Sequence, residues 1–210
     1  MAMSESEPDD AALLAGFWQV VALRGWHGVT MGRVAEEAGV TLAALRGRAR
    51  TPLDLLLLHG READRAVLAG TVRGQGGSPR DRIFDVLMRR LDAMQPHRPG
   101  ILRLLADMRR DPFLALFLAP HLLVSMGWML EAAELDAALP GGAWRAPGLA
   151  AVWLAAVGAW QADDSPDLGA TMAALDRALD RAERIARGLR LPIAPGDVEA
   201  GAAEASAAAD

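Results

Sequence analysis

The sequence predicts an all-α protein, and three observations carry that reading. Val, Ile and Thr together number only 21 of the 210 residues, and Tyr is absent. Strands favour β-branched and aromatic residues, so a sheet of any size has little to be built from. Apolar residues recur at spacings of three and four along most of the chain, the period of a helix with one buried face. Finally, Ser, Thr or Asp precedes Pro at Thr51-Pro52, Ser78-Pro79, Asp111-Pro112 and Ser165-Pro166. That pair reads as N-cap then first helical residue, because Pro lacks the N–H that would be orphaned there.

Taken in order, the predicted helices are 9–24, 31–38, 42–48, 52–72, 79–95, 99–109, 112–138, 147–161 and 166–188. The first carries Leu13, Leu14, Phe17, Val20, Val21 and Leu23 at helical spacing and stops at Gly25-Trp26. Asp54 and Asp81 stand three residues after Thr51 and Ser78, close to a capping box. Gly25 to Gly28, Gly74 to Gly77, Gln95 to Gly100 and Leu139 to Ala146 are the breaks. Residues 1–8 are polar and acidic and read as disordered, not as a signal peptide. Residues 191–210, rich in Ala, Gly, Pro and acids, read as a disordered tail. The expected organisation is a helix-turn-helix domain over 9–50 and a larger helical domain over 51–190.

Composition narrows the function classes. Cys is absent, which removes disulfides, thiolate nucleophiles and Cys-based metal sites. The four His are far apart and fit no metal-ligand spacing, so no metal and no cofactor is expected. Net charge is −5, and every one of the 22 basic residues is Arg. No nucleophile elbow, zinc-protease motif or dinucleotide fingerprint is present, so no catalytic residue is assigned. Pro112 to Leu130 runs 19 residues without a formal charge. That is nominally long enough to cross a bilayer, but Pro120 and His121 in its middle favour a central buried helix over a membrane span or an interfacial surface.

Residues 9–55 hold the most specific signal. Thr30 is placed to cap a short helix over Met31–Ala38. Gly39 supplies a residue able to take positive φ, Val40 is the buried turn residue, and Thr41 caps a second short helix. Small Ala35 lets the two helices cross closely. This is the spacing of a helix-turn-helix whose second helix reads the major groove. The stretch Gly25-Trp-His-Gly-Val-Thr-Met-Gly-Arg-Val-Ala-Glu-Glu-Ala-Gly-Val-Thr41 resembles the DNA-binding domain of the TetR family of regulators.

The resemblance implies three N-terminal helices followed by a helical ligand-binding and dimerisation domain. It implies DNA contacts from Thr30, Arg33, Thr41, Leu42, Arg46, Arg48 and Arg50. The chain departs from the family pattern in carrying Leu42 at a basic position, Arg46 at the Tyr position, Ala49 at the Phe position and Pro52 at the Lys position. Five Arg against three acids between Phe17 and Leu58 still leave this segment locally basic. Basic residues matter here because phosphate contacts dominate non-specific affinity.

The C-terminal half carries a second set of expectations. Leu149, Trp153, Ala156 and Trp160 form one apolar seam; Leu168, Met172, Leu175, Leu179, Ala182, Ala186 and Leu189 form another. Their spacing is a/d-like. Two such helices are able to pair with a symmetry mate as a four-helix bundle. This places Leu149, Trp153, Trp160, Leu168, Met172, Leu175 and Leu179 at a homodimer interface, the alternative being a seam buried within one subunit. Asp180 with Arg184, and Glu183 with Arg187, are i,i+4 pairs on the opposite face. The acids Asp163, Asp164 and Asp167 read as caps of the last helix.

Phe113, Phe117, His121, Met126, Trp128, Met129 and Trp153 concentrate adaptable and aromatic surface. They read either as core or as the lining of a site for an apolar small molecule. The segment Trp160-Gln-Ala-Asp-Asp-Ser-Pro-Asp-Leu-Gly-Ala-Thr-Met-Ala-Ala-Leu-Asp176 is similar to a signature of a TetR-fold family that assists ubiquinone biosynthesis and binds isoprenoid lipids. Two functions follow as expectations. One is a cytoplasmic, homodimeric DNA-binding regulator controlled by an apolar ligand. The other is a lipid-binding accessory protein that no longer reads DNA.

Overall fold

The computed structural model describes residues 9–72, 74, 77–135 and 142–188. Among these the chain is helical without a strand, in nine α-helices. They are α1 (Asp10–Arg24), α2 (Met31–Glu37), α3 (Leu42–Arg48), α4 (Pro52–Ala69), α5 (Pro79–Met94), α6 (Arg98–Met108), α7 (Pro112–Ala132), α8 (Arg145–Trp160) and α9 (Gly169–Gly188). Short 3-10 turns cover Trp26–Gly28, Gln95–His97 and Gly142–Trp144. The segments 1–8 and 191–210, expected to be disordered, lie outside the described residues.

Capping explains most of the helix starts. Thr51 and Asp54 form a reciprocal box at α4: the Asp54 carboxylate accepts from the Thr51 N–H (2.9 Å), and Thr51 Oγ1 accepts from the Asp54 N–H (3.3 Å). Ser78 and Asp81 do the same at α5 (3.0 and 3.2 Å). Asp111 Oδ1 accepts from the Leu114 N–H at 3.1 Å to open α7. The fourth Pro signature behaves differently. Ser165 and Pro166 stay in a loop, and α9 starts only at Gly169 because Leu168 turns to φ +53° just before it.

At its other end α7 stops at Ala132 rather than continuing to 138. Glu134 takes φ +58°, and the Leu135 N–H donates back to the Leu130 carbonyl at 2.9 Å. This closes the helix in a Schellman-type turn. Pro120 lies inside α7 without ending it.

The chain divides into two compact units. One comprises Met1–Arg65 and Asp92–His121, the other Ala66–Leu91 and Leu122–Asp210. In the first, Leu13, Phe17, Val21, Val34, Leu45 and Leu55 are fully buried. Each such side chain contributes roughly 1.5–3 kcal/mol on burial. The three-helix domain is completed by α6, on which α1 packs. That packing is close enough to require glycine: a Cβ at Gly100 would lie 2.6 Å from the Trp18 carbonyl oxygen, and one at Gly16 would lie 2.8 Å from the Ala38 nitrogen. Trp18 also meets the rings of His59 (4.8 Å) and His97 (6.2 Å), and burial holds the His97 imidazole below its ordinary pKa.

In the second unit α8 packs chiefly on α9. Met126, Met129, Trp160 and Leu175 are its fully buried anchors. Arg90, itself buried, lies 5.2 Å over the Trp153 ring, a cation–π contact. Arg80 at the start of α5 reaches across to α9, within 2.8 Å of both Asp176 and Asp180.

Candidate functional site

The first unit presents a helix-turn-helix built by local hydrogen bonds. Thr30 Oγ1 accepts from the Arg33 N–H (3.3 Å) to cap α2, and Thr41 Oγ1 accepts from the Ala44 N–H (3.1 Å) to cap α3. Between them Gly39 takes φ +67°. The Val40 N–H donates to the Ala35 carbonyl (3.0 Å), and the Gly39 N–H to the Glu36 carbonyl (3.2 Å), the bonding of a glycine C-cap. Val40 is half-buried, not buried as expected, because this turn sits at the rim of the core. Leu45 is fully buried under α3 and so fixes the face that looks outward. Leu42, Ala43, Arg46 and Gly47 are exposed on it, Leu42 to 59%.

The predicted DNA-contacting residues divide into two groups. Thr41, Leu42 and Arg46 share the open side of α3, and Arg50 is exposed just beyond it. Arg33 folds back, its Nη1 donating to the Gly28 carbonyl at 2.6 Å, beside the capping Thr30. Arg48 turns toward α1 and forms an ion pair with Asp10. The sequence spacing of Arg46, Arg48 and Arg50 suggested one basic cluster. Helical rotation separates the first two, because residues two apart point away from each other.

A third anchor was not readable in the sequence. The Trp26 N–H donates to Asp107 Oδ2 at 2.8 Å, and Arg103 Nε lies 3.3 Å from Asp107 Oδ1. The Trp26 N–H, more than the Arg103 charge, holds this carboxyl below the usual Asp range. Gly25 has φ +70°, and a Cβ there would lie 2.7 Å from the same carboxylate. The loop that leads into α2 is thus tied to α6. Nothing local in the sequence marks Asp107 for this, since the partners are 81 residues apart.

The expected ligand-lining residues are divided between the two units, Phe113, Phe117 and His121 in the first and Met126, Trp128, Met129 and Trp153 in the second. Met126 and Met129 are fully buried, and Trp153 is buried beneath Arg90. Phe113, Phe117, His121 and Trp128 are exposed on α7 instead. The central-helix expectation fails for the same reason. Both faces of α7 are apolar, so periodicity carries no information about which one is covered. A cavity of about 530 Å³ does exist in the second unit, walled by Ile83, Leu130, Leu149, Val152 and Leu179, with Arg80, Arg145 and Glu183 among its polar lining. None of the seven expected residues lines it. Its size and apolar walls suit a small apolar molecule with one polar end.

The expected dimer seam is likewise occupied within the subunit. Leu149, Trp153, Trp160, Leu175 and Leu179 are buried, Met172 is half-buried, and Leu168 is a buried loop residue. The a/d seams of α8 and α9 are used against each other and the rest of their own unit. What α8 and α9 leave outside is a groove of about 400 Å³, lined by Ala151, Ala155, Ala174, Ala178, Ala182 and Ile185 among others. Leu154 and Ile185 are more than half exposed. Of the two predicted ion pairs on α9, Glu183–Arg187 forms (3.2 Å), while Asp180 faces Arg80.

Asp163 does cap α9. Its Oδ2 accepts from both the N–H and the hydroxyl of Thr171 (2.7 Å each), and its Oδ1 accepts from the Ser165 N–H (3.2 Å) and hydroxyl. The Ser165 and Thr171 hydroxyls, with the Thr171 N–H, depress the Asp163 pKa strongly. Among the described residues no group of three or more His, Asp or Glu is placed to hold a metal ion.

No protein-family model and no curated protein matches the sequence. Solved structures do. A TetR transcriptional regulator from Nitrosomonas europaea ATCC 19718 is similar over 83% of this chain and 97% of its own, at 20% identity and a TM-score of 0.66. A TetR transcriptional regulator from Rhodococcus sp. RHA1 is similar over 82% of this chain and 93% of its own, at 17% identity and a TM-score of 0.57. The chain therefore has the fold of TetR-type transcriptional regulators, as the N-terminal motif implied.

Proposed function

We propose that this chain is a cytoplasmic, homodimeric, non-enzymatic regulator that binds double-stranded DNA through α3 and is controlled by an apolar small molecule. The observation that carries the reading is the intact helix-turn-helix, with both caps and the glycine turn in place and an open α3 face bearing Leu42 and Arg46. A scaffold with no reader has no need for an exposed Leu at the start of that face. Apolar contact with a thymine methyl group is one use for it. The cavity of the second unit is the ligand chamber in this reading, and the outer groove of α8 and α9 is the surface that meets the second subunit. A ligand regulates only if it and DNA prefer different conformers, typically a coupling of ~1–3 kcal/mol.

The test is retention of sheared genomic DNA from the source organism at low and near-physiological salt, followed by sequencing. A few fragments sharing a palindrome at the higher salt are expected. Arg46→Ala should weaken retention by about 1–3 kcal/mol if it reads a base, or lower the salt slope if it holds a phosphate. Diffuse retention that vanishes as salt rises refutes sequence reading.

A second reading, in which the helix-turn-helix is a scaffold that no longer reads DNA, is favoured by the engagement of Arg48 with Asp10 and of Arg33 with Gly28. Both reduce what α3 and α2 offer to phosphates. This reading predicts no selected DNA in the same experiment.

A further inference from the structure

The outer face of α3 carries a single side chain able to hydrogen-bond to a base. Leu45, fully buried, and Ala44, half-buried, mark the inner face of the helix. At 3.6 residues per turn, Ala43 and Arg46 then stand at the middle of the outer face, with Leu42 and Gly47 at its sides. All four are exposed. Thr41 Oγ1 is engaged as the cap on the Ala44 N–H. Arg48 is turned to Asp10, and Arg50 lies past the helix end, beyond the extended Ala49. No hydrogen bond or ion pair among the described residues holds the Arg46 side chain. Gly47 answers no need of the fold among the described residues: a Cβ there would meet nothing within 4 Å, and its φ is not left-handed. Inside a helix glycine costs stability relative to Ala. Beside Ala43 it keeps the outer face low, which lets a ligand approach the helix backbone closely.

We infer that Arg46 reads a guanine and Leu42 a neighbouring thymine methyl group, so that one G·C pair carries most of the hydrogen-bonded specificity of each half-site. The inference rests on the DNA-binding reading of α3 given above. A guanidinium only donates, and guanine is the base whose major-groove edge offers two acceptors, O6 and N7, to such a fork. Adenine and cytosine each present a donor there, which calls for an amide or a carboxylate. The outer face of α3 has neither. The alkyl surface of Leu42, at the N-terminal end that meets base edges, suits the C5-methyl group of thymine. Leu42 and Arg46 are one helical turn apart, about 6 Å along the axis, and base pairs rise about 3.4 Å, so the two contacts fall within about two base pairs. The place of Arg46 favours a base over a phosphate. Phosphates line the rims of the groove, whereas Arg46 stands at the middle of the face that looks into it.

The test is selection from a random duplex library by the full chain at near-physiological salt, followed by competition with single replacements in the selected site. Replacing the guanine of one half-site should weaken binding by about 5- to 150-fold. R46A should bind all four base pairs at that position within about twofold of one another. Deoxyuridine in place of the neighbouring thymine removes only the methyl group. It should weaken binding by the parent chain and leave binding by L42A unchanged. Both side chains are exposed, so both variants should keep the circular dichroism of the parent. A selected site at which R46A keeps the parent's base preference, with only a lower salt slope, assigns Arg46 to a phosphate. That result overturns the inference and leaves the regulator standing, as does a parent chain indifferent to deoxyuridine for the part played by Leu42. Selection of no sequence at all overturns the DNA-binding reading, and the inference with it.

Discussion

Gly16 and Gly100 hold α1 where it is, and they do so by having no side chain. Replacing either with Ala forces a methyl group against backbone atoms 2.6–2.8 Å away. Such overpacking typically costs about 1–3 kcal/mol. Urea unfolding should show that loss for Gly16→Ala and Gly100→Ala. Gly47→Ala should behave oppositely: an added Cβ meets nothing within 4 Å, and the substitution falls inside α3. A gain of about 0.5–1 kcal/mol is expected from helix propensity. Asp163 allows a test by pH. Its folded pKa is depressed by its four donors from Ser165 and Thr171, so its contribution to stability is complete above the ordinary Asp value of about 4 and is lost as pH falls below it. In Asp163→Asn the melting temperature should be lower at neutral pH, and the gap to the parent chain should close progressively on acidification. A gap that stays constant to the lowest accessible pH contradicts the assignment. The caps themselves were readable, because a Thr or Ser three residues before an acid is a local signal. The glycine approaches were not, since Gly100 meets a residue on a different helix far away in sequence.

At the scale of elements, the α8–α9 pair decides the quaternary proposal. The seams that look like an interface are buried within the subunit, which leaves Ala151, Leu154, Ala155 and Ile185 to meet a second copy. L154R/I185R is expected to convert a dimer to a monomer in light scattering while keeping its helical content. Leu175→Ala, by contrast, removes a fully buried side chain and should cost about 2–5 kcal/mol in stability. A dimer that survives the double substitution would move the interface elsewhere. The presence and extent of nearly every helix were readable from caps and spacing. Which face of an apolar helix is covered was not. The α7 helix is apolar on both sides, and α8 is apolar at both buried and exposed positions, Leu154 among the exposed and Ala156 among the buried, so only the partner helices determine the inside.

At the scale of the molecule, the first unit is discontinuous: Met1–Arg65 closes only with Asp92–His121. The packing of the helix-turn-helix therefore depends on α6, through Trp18 against Gly100 and through the Asp107 carboxylate that holds the Trp26 N–H. A fragment ending at residue 65 should accordingly show no cooperative thermal transition in circular dichroism, although it contains the whole helix-turn-helix.

The same discontinuity sets an order of events during synthesis. When α1, α2 and α3 leave the ribosome, the surface that will cover Trp18 has not been translated. At about 5–20 residues per second, the wait until α6 emerges lasts on the order of seconds. Through that interval the apolar face of α1 is uncovered in a nascent chain. A trigger factor or other holdase is expected to engage this protein early and to release it once residues near 121 have cleared the exit tunnel.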